Sequence, residues 1–246
     1  MDGSDELAKA VIADPKSLRE LSPRLAALVE VATLVSEQPW ALSNAHRTRF
    51  HQAGLDDESL LQAVILSAFF GHLNRIADLT DVPLDYEVRH TPPRPNRDKP
   101  PFATAPKLVT GRTELTIAQR PNTAQALTQW RLYAFDRDAP LARRQRTVIA
   151  RWVAEWLGDG TISSPADLTF NPLDEAIRVL AEQITLAPWK VIDASFAKLR
   201  SLGLTDAQLF DACAVTTTAG MFSRIDVALV GLARARSQPI PVVTDS

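Results

Sequence analysis

Cysteine is all but missing from this chain: Cys213 is the only one in 246 residues. A single thiol excludes an internal disulfide, and it makes a reducing, cytoplasmic setting the expected one. Histidine is scarce too, at four residues, so no metal site is expected. Positive charge is not in excess. Lys and Arg number 27 against 29 Asp and Glu, and the pI is near 6.1. That balance leaves no global positive field and no electrostatic reason to expect nucleic acid as a partner. No apolar run reaches the roughly 18 residues of a spanning helix, so no membrane partner is expected. The opening MDGSDELAKA is acidic and lacks the charged-then-apolar layout of a signal peptide. Alternating strand-like stretches are missing as well. What is present is 46% apolar residues and 23% charged, which excludes a disordered or collagen-like chain and suffices for a buried core.

The hydrophobic period is helical nearly throughout, and the expected class is all-α. Leu25, Leu28, Val29, Ala32 and Val35 form one helical stripe, with Ser22 and Pro23 at its start. From Asp56 to about Leu79 the apolar residues go nearly all round, which predicts a helix buried on most sides. Eight of the 17 prolines fall between Val82 and Pro121, a density that breaks helices. Helix is expected again over Asn122–Phe135 and Ala139–Leu157, then a loop over Gly158–Asn171. Three more helices are expected near Leu173–Leu186, Val191–Leu202 and Thr205–Ala235, the last opened by a Thr205/Gln208 capping box.

Sliding the chain on itself by 149 residues lays Pro39–Ile76 on Pro188–Ile225 without a gap. Pro39/Pro188, Trp40/Trp189, Gly54/Gly203, Leu55/Leu204, Asp57/Asp206, Gly71/Gly220 and Arg75/Arg224 are among the identical pairs. A glycine in the left-handed conformation ends a helix, and the leucine after it packs back beneath. Each unit therefore reads as a helix, a Gly-Leu turn and a long helix. The expected organisation is a first repeat over 1–85, a Pro-rich connection over 86–121, and a second repeat with a C-terminal tail over 122–246.

Pro39-Trp40, Ala53-Gly54-Leu55, Asp57, Asn74-Arg75 and Asp81-Val82-Pro83 resemble the alkylhydroperoxidase-like and carboxymuconolactone-decarboxylase-like superfamily, particularly its peroxidase-related branch. The second copy matches through Pro188-Trp189, Gly203-Leu204, Asp206 and Arg224, with Ser223 in place of the Asn. The resemblance implies an all-α, homo-oligomeric protein whose catalytic relatives need no cofactor. Their chemistry uses a Cys-x-x-Cys-x-x-x-His motif with a Glu upstream. If His46 were that His, Pro39 and Leu42 would fill the Cys positions and Ala27 the Glu position. In the register built on Arg146–Ala150, which is the better one, Asp159 and Ile162 fill the Cys positions. There Ala166 takes the His position and Thr147 the Glu position. Neither register holds a thiol, so the thiol peroxidase activity is expected to be lost.

Cys213 sits mid-helix among Leu209, Phe210, Ala212 and Val215 and reads as a small buried hydrophobe; a peroxidase-related role through it is the third functional reading. His72 interrupts an apolar stretch with Asn74 and Arg75 close by. The leading reading is cofactor-free acid–base work on a small anionic substrate, with His72 or His46 as base and Arg75 as anion clamp. The alternative is a non-catalytic oligomeric or partner-binding protein. Arg75 and Arg224 also suit carbonyl capping at helix ends. Trp189, Ile192, Phe196 and Leu199 read as a core stripe, whereas Trp40, Ser43, Arg47 and Phe50 read as a subunit contact. The basic stretch Val88–Lys107 reads as a solvated or subunit-wrapping arm, and the arginines of 143–151 as a solvated face.

Overall fold

Ser22 accepts a hydrogen bond from the Leu25 amide and Pro23 needs no donor, so the first helix, α1, starts there and runs Pro23–Glu37. A computed structural model describes residues 22–80, 97–110 and 120–233. Among them the other helices are α2 (Asn44–Gln52), α3 (Asp57–Thr80), α4 (Pro121–Phe135), α5 (Arg143–Leu157), α6 (Pro172–Leu186), α7 (Asp193–Ser201) and α8 (Asp206–Ala233). Single 3-10 turns at Pro39–Ala41 and Pro188–Lys190 precede α2 and α7. The described residues contain no strand, and the fold is all-α.

Element bounds recur at the spacing of the sequence match. α1 and α6, α2 and α7, and the two 3-10 turns each start and end 149 residues apart, and α3 and α8 start 149 apart. Gly54 and Gly203 both take positive φ, at 87° and 93°, and Leu55 and Leu204 are buried behind them. His51 pairs with Asp57, and Arg200, 149 residues on from His51, pairs with Asp206.

α8 is the spine. Its first half, with Leu209, Ala212, Cys213 and Val215, packs in a core with α5 and α6. Its second half, with Met221, Phe222, Ile225 and Leu229, packs in a core with α1 and α3. α8 is thus buried nearly all round, and α3 is not. Both are long and apolar enough to cross a membrane by length and composition, yet the apolar window of α8 is 89% buried and that of α3 only 33%. The expectation that α3 is buried on most sides is corrected: Leu66, Phe70 and Leu73 lie open.

Other boundaries move for local reasons. Ala142 is extended and α5 begins at Arg143 rather than Ala139, two residues after Leu141. An Asn171/Asp174 capping box starts α6 at Pro172. The core stripe on α7 is corrected as well. Leu199 is buried, but Ile192 is exposed, and Trp189 turns to donate its indole N–H to the Lys99 carbonyl. In the first copy Phe50 is buried and Arg47 makes a two-point pair with Asp57, so these two side chains are engaged within the chain.

Of the Pro-rich connection, 97–110 is described and the remainder of 81–119 lies outside the described residues. The described stretch, 97–110, runs along the body instead of standing away from it. Phe102 N–H donates to the Leu186 carbonyl, Ala105 N–H to Trp156, and Val109 N–H to Gly158. Gly158 is left-handed at φ 75°, and a Cβ there would sit 2.9 Å from the Lys107 carbonyl oxygen. The end of α5 needs glycine for both reasons.

Candidate ligand cavity at His72

His72 stands on the flank of α3 between the surface facing α8 and the open stripe. It is buried, at 8% exposure. It lines a cavity of about 190 Å³ with Ile76, Trp130, Tyr133, Phe210 and Arg146. The Trp130 ring meets the imidazole edge-on, 5.2 Å between centroids. His72 Nδ1 is buried and has no hydrogen-bond partner among the described residues. Burial pushes the imidazole below its ordinary pKa of 6.5; the Thr217 carbonyl opposes the shift and the Arg75 charge adds to it. A neutral ring with its proton towards Thr217 keeps Nδ1 as an unused acceptor.

At the other side of the cavity, Arg146 is only 1% exposed. Its guanidinium donates to the carbonyls of Leu141 (2.9 Å), Ala134 (2.7 Å) and Ala139 (3.2 Å), and pairs with Asp211. Asp211 also accepts the Leu141 N–H at 2.9 Å. Arg146 is therefore not on a solvated face, which corrects the expectation for that arginine, while Arg143 is exposed as expected. Its sequence signal is its place in the stripe of Ile149, Ala150 and Val153 on α5, all buried. An arginine in an apolar stripe must carry buried partners with it. Trp130, Tyr133 and Asp211 carry no such mark, since each has a plain reading as a helix-surface residue.

The other expected site residues lie elsewhere. Arg75 does not line this cavity; its guanidinium donates to the Gly71 carbonyl at 2.9 Å, and Arg75 Nε is buried without a partner. Burial lowers its pKa to about 10, opposed by Asp78. Residues three apart on a helix are separated by about 60° around its axis. Here that angle carries Arg75 past the cavity towards Arg224, so the Arg75 clamp on a His72-bound anion is corrected. His46 is on α2, where the Ser43 hydroxyl sits 2.7 Å from Nδ1. Partial burial lowers its pKa, helped by Arg49 and opposed by Glu30. It does not line the His72 cavity.

Cys213 is 3% exposed, and burial raises its thiol pKa to about 12. At pH 7 that leaves roughly one thiolate in 10⁵, against a few per cent for an ordinary thiol. Peroxide turnover with a dithiol reductant is accordingly expected to stay at the uncatalysed rate and not to change in Cys213→Ala. Turnover that disappears in that variant would show a reactive thiol. Among the described residues no group of three His, Cys, Asp or Glu could hold a metal ion. No protein-family model, curated protein or solved structure matches this chain.

Proposed function

We propose that this is a two-repeat protein of the alkylhydroperoxidase-like kind, without thiol chemistry, that binds a small molecule in the His72 cavity through the neutral imidazole. The single observation carrying the reading is a buried imidazole nitrogen with no partner, on a residue that lines a cavity together with Ile76, Trp130, Tyr133, Phe210 and Arg146. Leaving such an atom unsatisfied costs on the order of 1–3 kcal/mol, which a ligand donor would recover. Among the described residues the only guanidinium in the wall, that of Arg146, is already paired with Asp211 and bonded to three carbonyls, so those residues offer the cavity no unspent positive charge. This favours a neutral ligand over an anionic one. An apolar cavity of roughly 150 Å³ takes a benzene ring, and a volume of about 190 Å³ suits a single ring bearing one hydroxyl. In a catalytic cycle the same nitrogen would take the donor's proton, giving cofactor-free isomerisation or elimination chemistry.

The test uses phenol as the probe, followed by calorimetry and by the imidazole NMR signals. Wild type is expected to bind, with the His72 signals shifting. His72→Phe is expected to lose at least about tenfold in affinity at an unchanged or higher melting temperature, because a buried polar group is gone. Binding should hold at neutral pH and fade as pH drops below 6.5 through the lowered folded-state pKa. Stability follows the same sign. The unfolded chain protonates first, so the His72 contribution is complete above pH 6.5 and falls away below it; His72→Phe should flatten that part of the profile. Phenol binding that survives His72→Phe, or none in wild type, would reject the site.

A further inference from the structure

Gly71 and Arg75 recur as Gly220 and Arg224, 149 residues on. Each arginine folds back one turn and donates from Nη1 to its glycine carbonyl, at 2.9 Å on α3 and 3.1 Å on α8. The glycines make room for this, since a Cβ on Gly71 or Gly220 would stand 3.0 or 2.7 Å from that Nη1. The two helices pack together here, with Ala68 of α3 in one core cluster with Phe222 and Ile225 of α8. Arg224 spends its other nitrogens on helix ends: Nε donates to the Ser36 carbonyl at 3.2 Å and Nη2 to the Thr185 carbonyl at 3.4 Å. Ser36 and Thr185 are themselves 149 residues apart. The repeat thus assigns Ser36 to Arg224 and Thr185 to Arg75, yet Arg224 holds both. Arg75 Nε is left buried with no partner among the described residues. The hydroxyls of Thr185 and of Ser223, the neighbour of Arg224, are also buried without partners, on residues 2% and 0% exposed. Every acceptor that Arg224 has among the described residues is a neutral carbonyl, and the charge acting on it is the repulsive one of Arg75.

We propose that Arg75, Arg224 and the Thr185 and Ser223 hydroxyls form a site, where the two repeats join, for one small monovalent anion, a halide such as chloride. Buried charge is paired as a rule, because taking it out of water costs more than neutral contacts return. The unused groups here are an N–H and two hydroxyls, and a hydroxyl turns its proton to whatever accepts it. A cation is repelled, and a neutral ligand leaves the two guanidiniums opposed. The carbonyl ends of α1 and α6 engage Arg224, so Arg75 supplies the direct N–H and the anion lifts the repulsion between the two arginines. Arg75 lacks the counterpart of one carbonyl oxygen, so one acceptor atom answers it. A halide ion presents a single acceptor and one charge, whereas sulfate presents four oxygens and two charges. Arg75 also gives the way in, being partly exposed where Arg224 is closed off at 3%. The site is separate from the His72 cavity, which neither arginine lines.

The experiment is thermal unfolding of the full chain near neutral pH, with sodium gluconate replaced stepwise by sodium chloride at a fixed ionic strength of about 0.2 M, so that screening stays constant. Gluconate carries the same charge as chloride and is far bulkier. Wild type is expected to gain about 4 °C on the change to chloride, along a one-site saturation curve, and to broaden the chloride NMR line. Bromide is expected to substitute. Arg75→Gln keeps a good helix former and removes the charge; it is expected to stay helical in gluconate and to show neither the gain nor the broadening. Ser223→Ala is expected to melt no lower than wild type in gluconate, because an unpartnered buried hydroxyl is gone, yet to need roughly tenfold more chloride for half of the gain. A melting temperature that does not respond to chloride overturns the proposal, and so does a chloride gain that survives Arg75→Gln. A gain with sodium sulfate and none with chloride would overturn the halide assignment in favour of an oxyanion.

Discussion

Arg146→Ala is expected to lower the free energy of unfolding by about 3–5 kcal/mol, the usual cost of breaking a buried pair by removing one partner. The guanidinium has almost no contact with water and makes four interactions that no alanine can replace. Three of its acceptors are the Ala134, Ala139 and Leu141 carbonyls, so this side chain holds the turn between α4 and α5 in place. Asp211, 16% exposed at its side chain, would be left with one neutral donor, the Leu141 N–H. Urea unfolding of Arg146→Ala, Asp211→Ala and the double variant measures it. The double variant should cost less than the sum of the singles, because the carboxylate is not then stranded. A loss below about 1 kcal/mol in Arg146→Ala would mean that this pair is not buried in solution. Loss of the cavity wall should accompany the loss of stability, so phenol binding should fall in the same variant.

Arg224→Ala is expected to cost about 3 kcal/mol, and its counterpart Arg75→Ala only about 1 kcal/mol, although the two residues occupy equivalent places in the sequence match. Arg224 is 3% exposed and donates to the carbonyls of Ser36, Gly220 and Thr185. Ser36 and Thr185 lie in the last turns of α1 and α6, where carbonyls lack helical partners and carry the negative end of the dipole. One arginine thus joins the ends of two helices from the two halves. Arg75 is half-buried, makes one such bond and leaves its Nε unpartnered. Burial drives the Arg224 pKa well down, and the Arg75 charge adds to that. Removing Arg75 therefore relieves a repulsion that partly offsets its lost bond. Equal melting-temperature losses in the two variants would contradict the asymmetry.

Much of the fold is legible in local chemistry. Ser22, the Thr205/Gln208 box and the two Gly-Leu turns are short-range signals, and each appears as a hydrogen bond or a positive φ in the structure. The Asn171/Asp174 box is just as local and was readable, but it lies in a stretch whose Gly, Ser and Pro content reads as loop. His72 was legible as a candidate for one reason: an imidazole inside an apolar run needs an explanation. Its cavity partners were not legible. Trp130, Arg146 and Asp211 come from three helices, and only packing brings them to one wall.

The sequence by itself determined the all-α class, most helix starts to within two residues, the spacing of 149 residues and the lack of a second thiol, because these depend on neighbouring residues or on composition. Tertiary structure decided the rest. Two helices with nearly the same apolar text have opposite fates: α8 is enclosed by α3, α5 and α6, and α3 keeps an open face. It also separated His72 from Arg75 and brought Arg146 inside. Periodicity states how much of a helix can be buried, but which neighbour does the burying is settled by contacts between residues far apart in the chain.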